Sequence, residues 1–184
     1  VRSLKMHGGV AKKDLNEENL DALRAGIENL EKHIENIAKY NLPSIVAINA
    51  FPTDTEAELQ LLNEICQAKG VDVAISKVWE KGAEGGIELA EKLLDILAKD
   101  EAHFAPIYSL DLPIADKIKT IAKEIYGADD VTFSKKVLNK MKKYESQGLA
   151  NLPICVAKTQ YSLSADPTLL GKPSGFKVTI SDLI

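Results

Sequence analysis

Apolar side chains in the first forty residues follow the period of a helix. Between about residues 16 and 40 they recur at alternating spacings of three and four, while Glu, Asn and Lys occupy the intervening positions. This spacing places them on one stripe of an amphipathic helix. Such a stripe packs against a sheet of its own protein or, alternatively, against a partner helix. Its members are Leu20, Leu23, Ile27, Leu30, Ile34 and Ile37.

Two short runs rich in β-branched residues predict buried parallel strands, at 44–48 (SIVAI) and 71–76 (VDVAIS). Thr55 and Glu58 lie between them at the spacing of a capping box, in which each residue binds the backbone N–H of the other. A helix is therefore predicted from Thr55 to a C-terminal cap at Gly70.

The order of the elements indicates the fold class. A glycine-rich loop at 82–86 and a helix to about residue 99 follow the second strand. Strand–helix–strand–helix order with short connections is typical of an α/β fold, a parallel sheet flanked by helices.

The remaining residues predict a smaller α/β portion at the C-terminal end. Its predicted elements are a strand or linker at 103–108, a helix at 113–125, a lysine-rich helix capped by Ser134, an apolar strand at 152–157 and a turn-rich loop at 158–176.

Composition indicates which partners the protein lacks and which cellular compartment it occupies. Twenty-three basic and 27 acidic residues are mixed along 184 positions, which argues against a nucleic-acid-binding face. Cys66 and Cys155 both lie in apolar stretches, which predicts buried thiols in a reducing compartment. No apolar run has the length of a membrane span and no leader is evident, so a cytoplasmic protein is predicted. The first residue is Val1, from which we expect a processed chain or a piece of a longer one.

Self-sufficient catalytic motifs are absent from the sequence. Residues 171–177 (GKPSGFK) have neither the spacing of a phosphate-binding loop nor a hydroxyl after the lysine. The three histidines have no cysteine or carboxylate neighbours at metal-ligand spacing, so no metal site is expected. We expect no catalytic residue in this chain.

Three loops have the composition of ligand-site walls. The first two, at 49–55 and 79–86, follow predicted strands and contain Phe51 and Trp79. Ligands of open α/β sheets bind at the carboxyl ends of strands. The third wall combines residues 157–162 with 170–176. Alternatively, the two aromatic residues fill the core and the third segment is an ordinary loop.

Several ordered stretches strongly resemble the formate–tetrahydrofolate ligase (formyltetrahydrofolate synthetase) family, and the likeness covers essentially all 184 residues. One departure is Ala83, where the family more often has a second glycine. The matching stretches are LKMHGGV at 4–10, AIN at 47–49 with FPTDT at 51–55, IYGAD at 125–129 and AKTQYS at 157–162.

The resemblance implies an activity. Enzymes of this family join formate to tetrahydrofolate at the expense of ATP, through formyl phosphate, and yield formyltetrahydrofolate, ADP and phosphate. ATP, accompanied by magnesium, and tetrahydrofolate would be the substrates, and the complete enzyme would be a homo-oligomer. The family's phosphate-binding loop lies in an N-terminal half that this chain lacks, so the chain is expected to be an inactive internal fragment.

The resemblance also implies a division of the chain. Residues 1–103 would belong to the main, Rossmann-like nucleotide-binding α/β domain and carry the walls of the folate site. Residues 104–184 would form the smaller α/β portion with the adenine-side loop.

Individual site residues follow by position. Phe51 and Trp79 match the two aromatic residues that sandwich the folate ring system, and two flat π-faces suit a flat heteroaromatic ligand. Pro52 restricts Phe51 to extended backbone angles and helps to aim its ring outward. Asp54 and Thr55 are read as helix caps rather than catalysts. The full implied set is Phe51, Pro52, Ile75 and Trp79 for folate, and Lys172, Pro173 and Ser174 for the adenine ring of the nucleotide.

Two functions of other classes stay open at this point. The chain could be a stand-alone folate- or nucleotide-binding module without chemistry. It could also be an oligomerisation domain, for which the apolar stripe of the first long helix is the best support.

Overall fold

The computed structural model describes residues 1–99, 101–157 and 161–184. These residues form two compact units, Val1–Phe104 and Ala105–Ile184. Each unit contains short parallel strands flanked by helices, so the predicted α/β class is confirmed. Residues 158–160, which belong to the predicted third wall, lie outside the described residues.

The first unit contains a parallel pair of strands and the helices packed on it. Strands β1 (Ile45–Asn49) and β2 (Asp72–Ser76) run in the same direction, in a register that begins with Ile45 opposite Asp72 and ends with Asn49 opposite Ser76. Two 3₁₀ helices, Lys12–Asp14 and Gly82–Gly86, complete the unit. Its other elements are α1 (Arg2–His7), α2 (Leu20–Ala38), β1 (Ile45–Asn49), α3 (Glu56–Ala68), β2 (Asp72–Ser76), α4 (Val78–Lys81) and α5 (Ile87–Ala98).

The apolar stripe predicted for the first long helix packs inside this unit. Leu23 and Ile27 of α2 are buried in one core cluster with residues of β1, α3 and β2, and Leu20 and Leu30 pack against the cluster. Burial of such side chains is the main favourable contribution to folding. Ile37, near the end of α2, remains exposed.

Helices α1 and α2 approach each other closely because glycine removes a side chain at the contact. A Cβ added to Gly26 would lie 1.9 Å from the carbonyl oxygen of Leu4, and one added to Gly8 would lie 1.8 Å from that of Ala22. No side chain fits at these distances, so at Gly8 and Gly26 the two helices pack backbone against backbone.

The predicted capping box at the start of α3 is confirmed. The Thr55 hydroxyl accepts a hydrogen bond from the Glu58 N–H, and the Glu58 carboxylate accepts one from the Thr55 N–H. Ser134 likewise accepts a hydrogen bond from the N–H of Val137 at the start of the lysine-rich helix, as predicted.

The second unit has a parallel pair of its own. Strand β3 (Asp130–Phe133) pairs with β4 (Lys177–Ile180) in a register from Asp130 opposite Lys177 to Phe133 opposite Ile180. A core cluster that includes Ile118, Val131 and Val137 fills the space beneath the pair. The elements are α6 (Ile114–Glu124), β3 (Asp130–Phe133), α7 (Lys135–Ser146) and β4 (Lys177–Ile180).

The prediction of a strand at 152–157 is wrong. The Leu152 carbonyl accepts a hydrogen bond from the buried Lys117 ammonium, and the Ile154 N–H donates to the Tyr108 hydroxyl. Side chains thus occupy backbone groups that a strand ladder needs. The strand of this region is β4 (Lys177–Ile180), which directly follows the predicted loop at 158–176 and is not among the predicted elements.

Smaller predictions have mixed outcomes. The glycine-rich loop at 82–86 is a 3₁₀ helix. Residues 103–108 are irregular, which agrees with the linker alternative and not with a strand. Cys66 is buried as predicted, and burial raises the pKa of its thiol. Cys155 is exposed, because the segment that carries it is not a buried strand.

Candidate functional site

Phe51 and Trp79 meet at the carboxyl end of the first sheet. Phe51 lies two residues beyond β1 and Trp79 three residues beyond β2, and the parallel register brings both strand ends to the same edge. Their ring centroids are 5.9 Å apart, with the planes tilted by 46°. Phe51 is half-buried, whereas Trp79 is 67% exposed. The rings form one aromatic surface at the edge where α/β sheets bind ligands.

A tight turn holds the backbone of Phe51. The Asp54 N–H donates to the Phe51 carbonyl oxygen at 2.9 Å, and the Phe51 N–H donates to Asp54 Oδ2, also at 2.9 Å. Pro52 occupies the second position of this turn, where its fixed φ is favourable. Asp54 therefore closes the turn and is not the cap of α3, which corrects half of the cap prediction; Thr55 is the N-cap.

The chain around Trp79 is shaped by glycines. Trp79 lies in the four-residue helix α4, and the Lys77 N–H donates to the Gly85 carbonyl oxygen at 2.9 Å. A Cβ on Gly85 would come within 2.4 Å of the Lys77 carbonyl group, so only glycine permits this return of the chain. Gly82 has φ of +60°, in the region that glycine adopts without strain.

The other two predicted folate residues lie beside these elements. Pro52 is exposed next to Phe51. Ile75 is half-buried in β2, opposite Ile48 of β1 and one residue before the strand ends. All four predicted folate residues are thus on the loop after β1 or on β2 and the helix that follows it.

A buried ion pair lies under the start of α3. The Lys5 ammonium is 2.8 Å from Glu58 Oε1, and both side chains are completely inaccessible to solvent. Burial raises the pKa of the Glu58 carboxyl, but hydrogen bonds from Lys5, Asn19 and Thr55 lower it by more, and the net pKa is below the usual value. The carboxylate form is the one that this environment stabilises.

The three predicted nucleotide residues lie in the second unit. Lys172 and Ser174 are exposed and Pro173 is half-buried in the turn that precedes β4. Gly171 and Gly175, which bracket the turn, both have positive φ, at 64° and 75°. The turn is thus built around two residues that reverse the chain without strain.

A cavity of about 630 Å³ lies in the second unit. Its walls include Ile154, Val156, Val178 and Ile180, together with polar groups such as Asp166. Lys172, Pro173 and Ser174 are not among the residues that line it. The cavity and the predicted adenine-side turn are therefore separate features of this unit.

The described residues contain neither a metal-binding cluster nor a membrane-spanning helix. Across 1–99, 101–157 and 161–184, no three His, Cys, Asp or Glu side chains are grouped so that they could hold a metal ion. None of the helices in this part of the chain combines the length and apolar character that crossing a bilayer requires.

Comparison with known protein families identifies the family of this chain. The family model described as formate–tetrahydrofolate ligase matches residues 1–184, the whole of the sequence. The chain belongs to the formate–tetrahydrofolate ligase family. Members of this family are enzymes that act on formate, tetrahydrofolate and ATP. The resemblance stated from the sequence is confirmed.

Two features near the site were not found from the sequence. Lys5 and Glu58 are 53 positions apart, and Glu58 was recognised only as half of a capping box. Asp54 was read as a helix cap because it precedes the helix. Proline at the second position of FPTD is a turn signal that could have revealed the turn from Phe51 to Asp54.

Proposed function

We propose that Phe51 and Trp79 are the two walls of the tetrahydrofolate site of this ligase, with Pro52 and Ile75 lining the same slot. The single observation that carries the proposal is the contact of the two rings at the common carboxyl edge of β1 and β2. A flat pteridine or aminobenzoyl ring offers two π-faces, and aromatic side chains match them at small cost in conformational entropy.

The alternative reading of the two aromatic residues as core plugs has less support. Trp79 is largely exposed, and neither ring belongs to the buried cluster of the first unit. A largely exposed tryptophan at the edge where α/β sheets bind ligands fits a binding surface better than a core position.

The second part of the proposal concerns ATP. Lys172, Pro173 and Ser174 would contact the adenine ring, in line with the resemblance of their turn to the family's adenine-binding segment. Lys172 and Ser174 are exposed and Pro173 is half-buried in this turn. Residues 1–103 would then serve folate and residues 104–184 the nucleotide.

Chemistry would come from outside these residues. The sequence lacks a phosphate-binding loop, and phosphoryl transfer depends on positioning and neutralising phosphate charges. We therefore propose that the isolated chain binds tetrahydrofolate but does not catalyse the ligase reaction. Magnesium would be bound with ATP rather than by this chain. We further propose that the complete enzyme is a cytoplasmic homo-oligomer. The two free thiols accord with a reducing compartment.

The binding-module and oligomerisation alternatives differ in what they require. A module without chemistry would also bind folate, so folate binding does not distinguish it from the ligase. Only a measurement of ligase activity in the protein that contains this chain distinguishes the two. The oligomerisation reading loses its main support, since the α2 stripe packs largely within its own unit.

A titration tests the folate assignment. Trp79 is the only tryptophan, so its emission reports on the site directly. Adding tetrahydrofolate should change that emission saturably, while N-acetyltryptophanamide corrects for absorbance by the ligand. Calorimetry supplies an independent binding curve. A flat emission titration together with no heat of binding would refute the proposal. Formation of formyltetrahydrofolate by the purified chain with ATP and formate would refute the expected inactivity.

A further inference from the structure

We propose that the buried pair of Lys5 and Glu58 is a positioning device for the Phe51 wall. The inference rests on the proposed folate site and assigns to it two residues that do not touch the ligand. Lys5 lies in α1 and Glu58 in the first turn of α3, whereas Phe51 lies in the loop between β1 and α3. A continuous chain of hydrogen bonds and covalent bonds connects them.

The first link is the pair itself. The Lys5 ammonium contacts Glu58 Oε1 at 2.8 Å and donates to the Glu17 carbonyl oxygen at 2.9 Å. Neither side chain has accessible surface, so water does not compete for these contacts. Charges buried without water are costly unless paired and hydrogen-bonded, which makes the geometry of this pair strongly determined.

The second link joins the pair to two helix starts. Glu58 Oε1 also accepts the Asn19 N–H at 3.1 Å, and Oε2 accepts the Thr55 N–H at 3.2 Å. Asn19 is the N-cap of α2 and Thr55 is the N-cap of α3. The Glu58 carboxylate, paired with the Lys5 ammonium, therefore holds the N-caps of both helices.

The third link reaches the ring. Asp54 immediately precedes Thr55, and its carboxylate and N–H both hydrogen-bond to the backbone of Phe51. A shift of the Thr55 backbone would move Asp54 and with it the turn that carries the Phe51 ring. A capping box alone requires only Thr55 and Glu58. The additional buried ammonium ties that box to α1, which a surface cap does not need.

The consequence is a site with one fixed wall. Phe51 is held by the turn and the network, whereas Trp79 lies exposed on a single helical turn. A preorganised ring loses little freedom when ligand binds. Removing the network should weaken tetrahydrofolate binding about 2- to 13-fold, the range expected when one side chain must be ordered on binding.

The test uses the full chain with both residues replaced, Lys5→Met with Glu58→Met. The two methionines approximate the original side-chain volumes and remove both charges of the pair together, a replacement that proteins often tolerate. Two measurements are made: hydrogen exchange of the Phe51 amide without ligand, and tetrahydrofolate affinity by calorimetry. The expected result is faster Phe51 exchange and weaker binding, with Asp130–Phe133 amides in the second unit unchanged.

Controls separate positioning from loss of stability. Cys66→Ala removes a buried group from the same core without touching the network, so it should lower the unfolding midpoint yet keep Phe51 protection and affinity. If the double variant does not fold, Lys5→Gln with Glu58→Gln takes its place, because it removes both charges together and keeps polar side chains that can hydrogen-bond. Folded variants with wild-type Phe51 exchange and wild-type affinity would overturn the inference.

The two proposals fail in distinguishable ways. If wild-type protein does not bind tetrahydrofolate, the folate assignment fails, and exchange of the Phe51 amide still reports whether the network holds the turn. If wild-type protein binds and the double variant binds equally well, the positioning role fails and the folate site stands.

Discussion

The Phe51 and Trp79 rings contact each other at a centroid distance of 5.9 Å and an interplanar angle of 46°. A flat ligand held between two parallel rings needs their planes about 7 Å apart, twice the normal van der Waals contact distance. Binding would therefore replace the contact between the rings and turn one of them. Trp79 is the one expected to move, because Phe51 is held by two hydrogen bonds to Asp54.

Removing the Phe51 ring should weaken folate binding. Stacking on one aromatic side chain contributes about 1–3 kcal/mol by alanine substitution. Phe51→Ala should then raise the tetrahydrofolate dissociation constant roughly 5- to 150-fold while ATP binding stays near normal. Calorimetry on folded protein measures both. The matched control is Phe104→Ala, which removes an exposed ring stacked on Tyr40 in the same unit and should leave affinity unchanged. Wild-type affinity of folded Phe51→Ala would end the assignment.

The two walls should not act independently. Because both rings are proposed to contact one ligand, Phe51→Ala with Trp79→Ala should lose less affinity than the sum of the single losses. A double-mutant cycle by calorimetry measures the coupling free energy. Strict additivity would indicate that the rings serve different ligands or none. If both were core plugs, the single variants would instead lose thermal stability and keep their affinity for folate.

The adenine-side turn should be specific for ATP. Pro173→Asp places a negative charge in the turn and should raise the ATP Michaelis constant of the complete enzyme more than the folate constant. Steady-state kinetics with each substrate varied in turn gives the comparison. Lys177→Ala, an exposed change in the neighbouring strand, is the control. Equal effects of Pro173→Asp on both substrates would point to a general folding defect.

The contact between α1 and α2 predicts an inverted effect of a helix substitution. Glycine-to-alanine changes inside helices normally stabilise by about 1 kcal/mol. Gly26→Ala should instead lower the free energy of unfolding by about 1–3 kcal/mol, because its Cβ would meet the Leu4 carbonyl oxygen at 1.9 Å. Urea unfolding measures the change. Ala25→Gly, at the adjacent exposed position, measures the difference in helix propensity between alanine and glycine without the packing effect. A stabilised Gly26→Ala variant would contradict the observed packing.

Acid should weaken the first unit through Glu58. The pKa of Glu58 is lowered in the folded protein from a usual value of 4.5, so its contribution is fully present above that pH. That contribution is lost as the pH falls from about 4.5 toward the lower folded pKa, because the unfolded state then binds more protons. Urea unfolding at pH values between about 3 and 7 should show a shallower acid loss for Glu58→Gln than for wild type. Glu28→Gln, on the exposed face of α2, should retain the wild-type slope.

Local patterns were enough for much of the fold. The α2 stripe, the β1 and β2 runs and the capping signals at Thr55 and Ser134 each depend on neighbours within a few positions, and the structure confirms them. Periodicity and capping are properties of a single segment, so they can be read before any partner is known. The family likewise follows from ordered motifs in the sequence and is confirmed.

Pairing could not be read in the same way. Residues 152–157 are a short apolar run and β4 alternates polar with apolar residues, and either could form a strand beside β3. Tertiary contacts chose β4, because Lys117 and Tyr108 hydrogen-bond to the backbone of the other run. A strand exists only where a second backbone supplies its hydrogen bonds, and that partner is not encoded in the run itself.

In the candidate site, too, some features follow from the sequence and others only from the tertiary structure. The sequence by itself determined that an aromatic residue follows each of two parallel strands. Only the tertiary structure decided that the two rings touch, that Asp54 closes the Phe51 turn, and that Lys5 reaches Glu58 across 53 positions. Contacts between distant positions depend on how the helices and strands pack in three dimensions, because buried charges and rings find partners only where packing brings them together.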